Sequence, residues 1–178
     1  ASYKKAIELK PDYAEAHNSL ATILIKLDKL DGAEKSYRKA IELKPNYLIA
    51  YYNLASTLSS LGKLDEAEVY FTRALKLNPD YTEAYNNLGI VLYKLGKIDE
   101  AVASYKKAIK LQPDYAMAWQ NIFFPLQVIK LQTSSVEDHL PLLDEQVTSK
   151  YAQAAKSILN YRLNLGSPLA KSSLNEVL

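Results

Sequence analysis

Two series of apolar residues at helical spacing alternate along the chain, separated by turns. Tyr51, Leu54 and Leu58 make one series, "SLGKLDEA" supplies a turn around Gly62, and Ala67, Phe71, Ala74 and Leu75 make a second that stops at Pro79. Proline lacks the N–H that a continuing helix needs, and it disfavours helical geometry in the residue before it, so it closes the second helix. The whole pattern returns every 34 residues: Pro11, Pro45, Pro79 and Pro113 keep the step, as do Tyr13, Tyr47, Tyr81 and Tyr115, and Ala6, Ala40, Ala74 and Ala108. A fixed period of this length means stacked helix pairs, none of which can bury its apolar face alone. The expected fold is therefore all-α, an α-solenoid of antiparallel helix hairpins.

Full units are expected at 14–47, 48–81 and 82–115. The opening "ASYKKAIELKPDYA" matches "ASYKKAIKLQPDYA" at 103–116 almost letter for letter, so residues 2–10 read as the second helix of a truncated unit. On that reading the chain is a fragment of a longer array. Residues 116–131 begin a fourth unit and then leave the pattern: Phe123 stands where a small residue normally lets helices approach, and Pro125 follows within the same helix.

These residues resemble the tetratricopeptide repeat. A large residue holds the fourth position (His17, Tyr51, Tyr85, Trp119), leucine or isoleucine the seventh, and a small residue the eighth. Alanine follows at the twentieth, an aromatic at the twenty-fourth (Tyr37, Phe71, Tyr105), alanine at the twenty-seventh and proline at the thirty-second. The resemblance implies a right-handed superhelix whose first helices line a concave surface.

A helical residue turns about 100°. Positions four, seven, eight and eleven then share the packed side, and positions two, five, six, nine, twelve and thirteen the groove side. The groove stripe contains Asn18, Tyr52, Asn53, Ser56, Asn86, Asn87, Tyr93, Gln120 and Asn121, a mixture of amides, hydroxyls and aromatics suited to binding. Asn53, Asn87 and Asn121 share one position in successive units, and Ser19 replaces them in the first. An asparagine amide offers both an acceptor and a donor, so a row of them can hold the backbone of an extended peptide. The row resembles the asparagine ladder of O-GlcNAc transferases. Three such rungs give about six hydrogen bonds at about 0.5–1.5 kcal/mol net each, set against about 2–5 kcal/mol for ordering the peptide. A lysine- and arginine-based clamp for acidic tails, another tetratricopeptide mode, is not expected, because its positions hold Glu15, Asn18, Glu83, Asn86 and Asn87.

Composition narrows the function further. The net charge of +2, with the signs interleaved, provides no nucleic-acid surface, and no apolar run reaches the ~20 residues of a membrane span. Cysteine is absent, which excludes disulfides and thiolate metal sites and is compatible with a cytoplasmic location. The two histidines have no partner at metal-ligand spacing. His17 belongs to a packing position, and His139 stands near Asp138 and Asp144 without a nucleophile. Lys4, Lys5, Arg38, Lys39, Arg73, Lys106 and Lys107 read as a solvated outer face of the second helices. No catalytic residue, metal or cofactor is expected.

Beyond Leu131 the pattern ends, and residues 132–178 read as capping or linker helices. Ser134 and Glu137 form a capping box that Pro141 keeps short, and a longer helix is expected from Val147 to Leu165 before Gly166. The expected function is a protein-interaction scaffold that takes an extended segment of a protein partner in its groove. Two alternatives stand beside it. One is an accessory region of a larger enzyme, since such arrays resemble those ahead of sulfotransferase or glycosyltransferase domains. The other is weak self-association through the terminal helix at 2–10.

Overall fold

The computed structural model describes residues 10–122 and Pro125. Six helices are complete: α1 (Ala14–Lys26), α2 (Leu30–Leu43), α3 (Leu48–Ser60), α4 (Leu64–Leu77), α5 (Thr82–Lys94) and α6 (Ile98–Leu111). A seventh, α7, opens at 116 and is described over 116–122 and at Pro125. There is no strand among the described residues. Helices pair as α1 with α2, α3 with α4 and α5 with α6, and each pair joins the next through α2 with α3 and α4 with α5. The first helices α3 and α5 also touch directly, which places them on the side where the units come closest.

The turn inside each pair follows from local hydrogen bonding. After α3, Gly62 takes φ +75°, its N–H donates to the Ser59 carbonyl, and Lys63 N–H reaches back to Leu58 at 2.9 Å. After α5, Gly96 repeats this at φ +77° with Lys97 N–H on Leu92. These are paired bonds of the Schellman type, which satisfy helix-end carbonyls and need a left-handed residue just past the helix. In the first repeat that residue is Asp28, at φ 56°. The turn between pairs is built on proline. Tyr47 N–H donates to the Lys44 carbonyl around Pro45 and Asn46, and Tyr81 N–H to Asn78 around Pro79 and Asp80.

The core consists of the small and large positions that the period marks out. Ala55, Ala67 and Ala74 are solvent-free, as are Leu54, Leu58 and Phe71. Gly89 takes the small position in the third unit for a specific reason. A Cβ there would lie 2.6 Å from Cε1 of Tyr105, so the buried ring rests on bare backbone. His17, expected to pack, is half-buried, and its Nε2–H donates to the Pro11 carbonyl at 2.9 Å, which fixes the tautomer. Trp119 Nε1–H makes the matching bond to Pro113 at 3.2 Å.

Among the described residues the outer face departs from its sequence reading most at Arg38. Arg38 is not simply solvated: it binds Glu34 on its own helix and reaches Glu66 and the Tyr70 hydroxyl on α4. Lysines at the inner turns add a repeating strap, Lys63 to Glu34 at 2.8 Å and Lys97 to Glu68 at 2.8 Å, each joining adjacent units. Burial opposes ionisation of Glu34, but hydrogen bonds from Lys63 and Arg38 prevail and hold its carboxyl below the usual range.

The expected helix at 2–10 lies outside the described residues apart from Lys10. Phe123, the capping box at 134–137, His139 and the helix at 147–165 lie outside them as well.

Candidate peptide-binding groove

Helical geometry places the amides of α3, α5 and α7 on one side, and the structure joins those of α5 and α7 into a chain of hydrogen bonds that ends on the Tyr52 hydroxyl of α3. Asn121 Nδ2 donates to Asn86 Oδ1 at 2.9 Å. Asn86 Nδ2 donates to Asn87 Oδ1 at 3.1 Å, and Asn87 Nδ2 donates to the Tyr52 hydroxyl at 2.9 Å. Two of these links cross between repeats. Short amides can meet in this way only where the first helices run close together, in keeping with the α3–α5 contact.

Within the chain the residues differ in what they offer. Asn86, which the sequence puts on the groove stripe, is 0 % exposed and acts as the buried strut between Asn121 and Asn87. Asn87 and Asn121 are half-buried, and each keeps hydrogen-bonding capacity, since an amide has two N–H groups and two acceptor lone pairs. Asn53 is half-buried as well. Its side chain is outside the chain of bonds, and its backbone carbonyl accepts the Thr57 hydroxyl at 2.8 Å. Gln120 is exposed and Tyr93 half-buried.

Two polar atoms on the inner helices are buried without a partner among the described residues: Asn18 Oδ1 and Ser56 Oγ. The Ser56 hydroxyl sits close enough to Tyr52 to favour its ionisation, yet outside hydrogen-bond geometry. The cause becomes clear by comparison with the first repeat. There Thr22, at the same position as Ser56, shares a 3.2 Å hydrogen bond with the Tyr37 hydroxyl. In the second repeat the position of Tyr37 is taken by Phe71, which has no hydroxyl to offer.

A cluster of tyrosines adjoins the amide chain. The rings of Tyr52 and Tyr81 lie 4.8 Å apart at 35°. Burial raises the Tyr81 phenol to about 12, with help from Tyr52 and from the Glu83 carboxylate. Burial also raises Tyr52 and Tyr115, and Glu83 acts on both in the same direction. Glu83 thus adds its charge to the effect of burial on all three phenols. The sequence marks these tyrosines only by their period, and nothing in one repeat tells which helix of the next they will face.

Among the described residues no group of three or more histidine, aspartate or glutamate side chains could hold a metal, and no helix is long and apolar enough to cross a membrane. The family model described as "Tetratricopeptide repeat" matches residues 14–47, 49–81 and 82–115, more than half of the chain. The chain belongs to the tetratricopeptide repeat family.

Solved structures agree with this assignment. A crystal structure of MamA is 26% identical with a TM-score of 0.73, covering 86% of this chain and 87% of that one. A second MamA structure is 27% identical with a TM-score of 0.72, over 86% and 81% of the two chains. The first tetratricopeptide domain of Spaghetti (RPAP3), bound to the HSP90 peptide SRMEEVD, is 27% identical with a TM-score of 0.64, over 66% and 93%. A search of curated proteins finds no match. As a tetratricopeptide repeat protein the chain is a protein-interaction scaffold.

Proposed function

We propose that the inner face of α3, α5 and α7 binds an extended peptide segment of a protein partner, gripping its backbone through Asn53, Asn87 and Asn121. The observation that carries this reading is the hydrogen-bonded chain from Asn121 through Asn86 and Asn87 to Tyr52, which crosses three successive units. Its internal bonds hold Asn87 and Asn121 in fixed orientations before any ligand arrives. Immobilising a free side chain on binding costs about 0.5–1.5 kcal/mol, so prior ordering improves a balance that three rungs alone leave small. The peptide-bound state of the RPAP3 domain supports a peptide ligand for this fold. Its peptide, SRMEEVD, is rich in acidic residues, whereas this groove carries Glu15 and Glu83 where a clamp for acidic tails needs cations.

Fluorescence anisotropy with a pool of labelled unstructured peptides tests the reading, comparing the native chain with Asn53→Ala/Asn87→Ala/Asn121→Ala. Circular dichroism confirms that both are folded. Sequence-tolerant binding that the triple variant loses is the expected result. Equal binding by both proteins would remove the amides from the account, and no binding by either would remove the groove.

A further inference from the structure

The repeat carries its own example of a ligand. In the first unit the Lys44 ammonium forms an ion pair with Glu15 at 2.7 Å and lies 4.7 Å from the centroid of the Tyr47 ring. Lys10, one period earlier, approaches Tyr13 in the same manner at 5.7 Å. Carboxylate and aromatic faces together make an ammonium site: the carboxylate neutralises the charge, and the ring quadrupoles attract it.

Two periods later the same positions hold Glu83, Tyr81 and Tyr115, while the two lysines are replaced by Asn78 and Gln112. The carboxylate and both phenols are kept, and the internal cation is not. No cation lies within ion-pair distance of Glu83 among the described residues. A further ring is added instead: Tyr52, tilted against Tyr81 with centroids 4.8 Å apart, is also the terminal acceptor of the amide chain. Glu83 holds the repeat position at which Glu15 meets Lys44 beside the Tyr47 ring, and its charge adds to the raising of the Tyr52, Tyr81 and Tyr115 phenols. The intervening unit lacks such a site, because Ile49 takes the carboxylate position.

We propose that Glu83, Tyr52, Tyr81 and Tyr115 bind the ammonium group of a lysine side chain presented by the partner peptide, at the Tyr52 end of the amide chain. The proposal rests on the groove reading above and adds a charge preference to it. The amides hold backbone without regard to sequence, and the glutamate with its tyrosines selects a lysine at one register. The preferred partner is thus a lysine-bearing segment, opposite in charge to the acidic peptide bound by the RPAP3 domain.

Two arms keep this distinguishable from the groove reading. In the first, anisotropy compares extended peptides that carry one central lysine with the same peptides carrying glutamine. The native chain is expected to favour lysine by roughly fivefold to tenfold, as an exposed ion pair and a cation–π contact allow together. Glu83→Gln should erase the preference and leave the glutamine peptide unchanged. Gln112→Lys, which installs the protein's own cation as Lys44 does in the first unit, should also erase it. In the second arm, N-acetyl-lysine amide is titrated at millimolar concentration while the Tyr81 and Tyr115 ring resonances are followed by NMR, with N-acetyl-glutamine amide as control. Shifts from the lysine compound in the native chain but not in Glu83→Gln support the cation site, even if no peptide binds and the groove reading falls. Lysine and glutamine peptides bound alike, with no selective shift from the lysine compound, would overturn the proposal and leave the groove reading intact.

Discussion

At the scale of single residues, the repeat pairs one position on the first helix with one ring on the second, and the pairing is imperfect. Thr22 meets Tyr37, whereas in the next unit Phe71 takes the tyrosine's position and the Ser56 hydroxyl is buried without a partner. A buried unsatisfied hydroxyl costs more than a made bond returns. Phe71→Tyr is therefore expected to stabilise the protein by about 0.5–1.5 kcal/mol, read as a higher urea midpoint with an unchanged slope. Ser56→Ala in the Phe71→Tyr background should cancel the gain. Gly89 shows the opposite case. Alanine there would improve helix propensity by about 1 kcal/mol, but its Cβ would fall 2.6 Å from the buried Tyr105 ring. Forcing a methyl into packed space costs about 1–3 kcal/mol, so Gly89→Ala should lower stability by up to about 2 kcal/mol. A thermal midpoint at or above that of the native chain would show that the ring can move aside. The sequence shows that this position must be small, as it is at Ala21 and Ala55. It does not show why glycine is needed at 89, because the reason is the height of one ring over one backbone.

At the scale of helices and turns, the period translates almost directly into structure. Helix ends fall where Gly62, Gly96 and the prolines put them, because those residues act through their own backbone and need no distant partner. Asp28 is the informative exception, holding φ 56° where the later units have glycine. An L-residue in this region is strained by about 1–2 kcal/mol, less for the short polar side chains that tolerate it. Asp28→Gly is expected to stabilise the first hairpin by several tenths of a kcal/mol, net of the greater freedom glycine gains in the unfolded chain. Amide hydrogen exchange would localise the effect, with α1 and α2 better protected and α5 and α6 unchanged. The groove amides were less legible. Helical spacing places Asn86 and Asn87 on one side, but it cannot tell that Asn86 is buried and already bonded to Asn121 and Asn87. Those bonds depend on how far one hairpin is displaced from the next, and each repeat's sequence is silent on that.

At the scale of the whole molecule, stability and charge meet in the tyrosines. Tyr37, Tyr47, Tyr52, Tyr81, Tyr105 and Tyr115 all have their phenols raised, in each case first by burial. A group whose folded pKa is raised stabilises the fold fully below its unfolded pKa and loses that contribution as pH rises through the folded value. The unfolded tyrosines ionise near 10.0, while Tyr81 in the fold waits until about 12. Stability should therefore hold below pH 10 and fall steeply between 10 and 12, by about 1.4 kcal/mol per pH unit for each tyrosine that titrates only when unfolded. Lys63 and Lys97, raised by their bonds to Glu34 and Glu68, act in the same direction, since the inter-repeat straps weaken as the lysines lose their protons. Because the straps join neighbouring units and the phenols lie within and between them, the loss is shared along the stack rather than confined to one hairpin. Urea midpoints at pH 9, 10, 11 and 12 would trace the decline. Tyr81→Phe removes one phenol while keeping the ring against Tyr52, so its slope above pH 10 should be shallower than that of the native chain. A parallel slope would mean that the Tyr81 proton is not held by the fold.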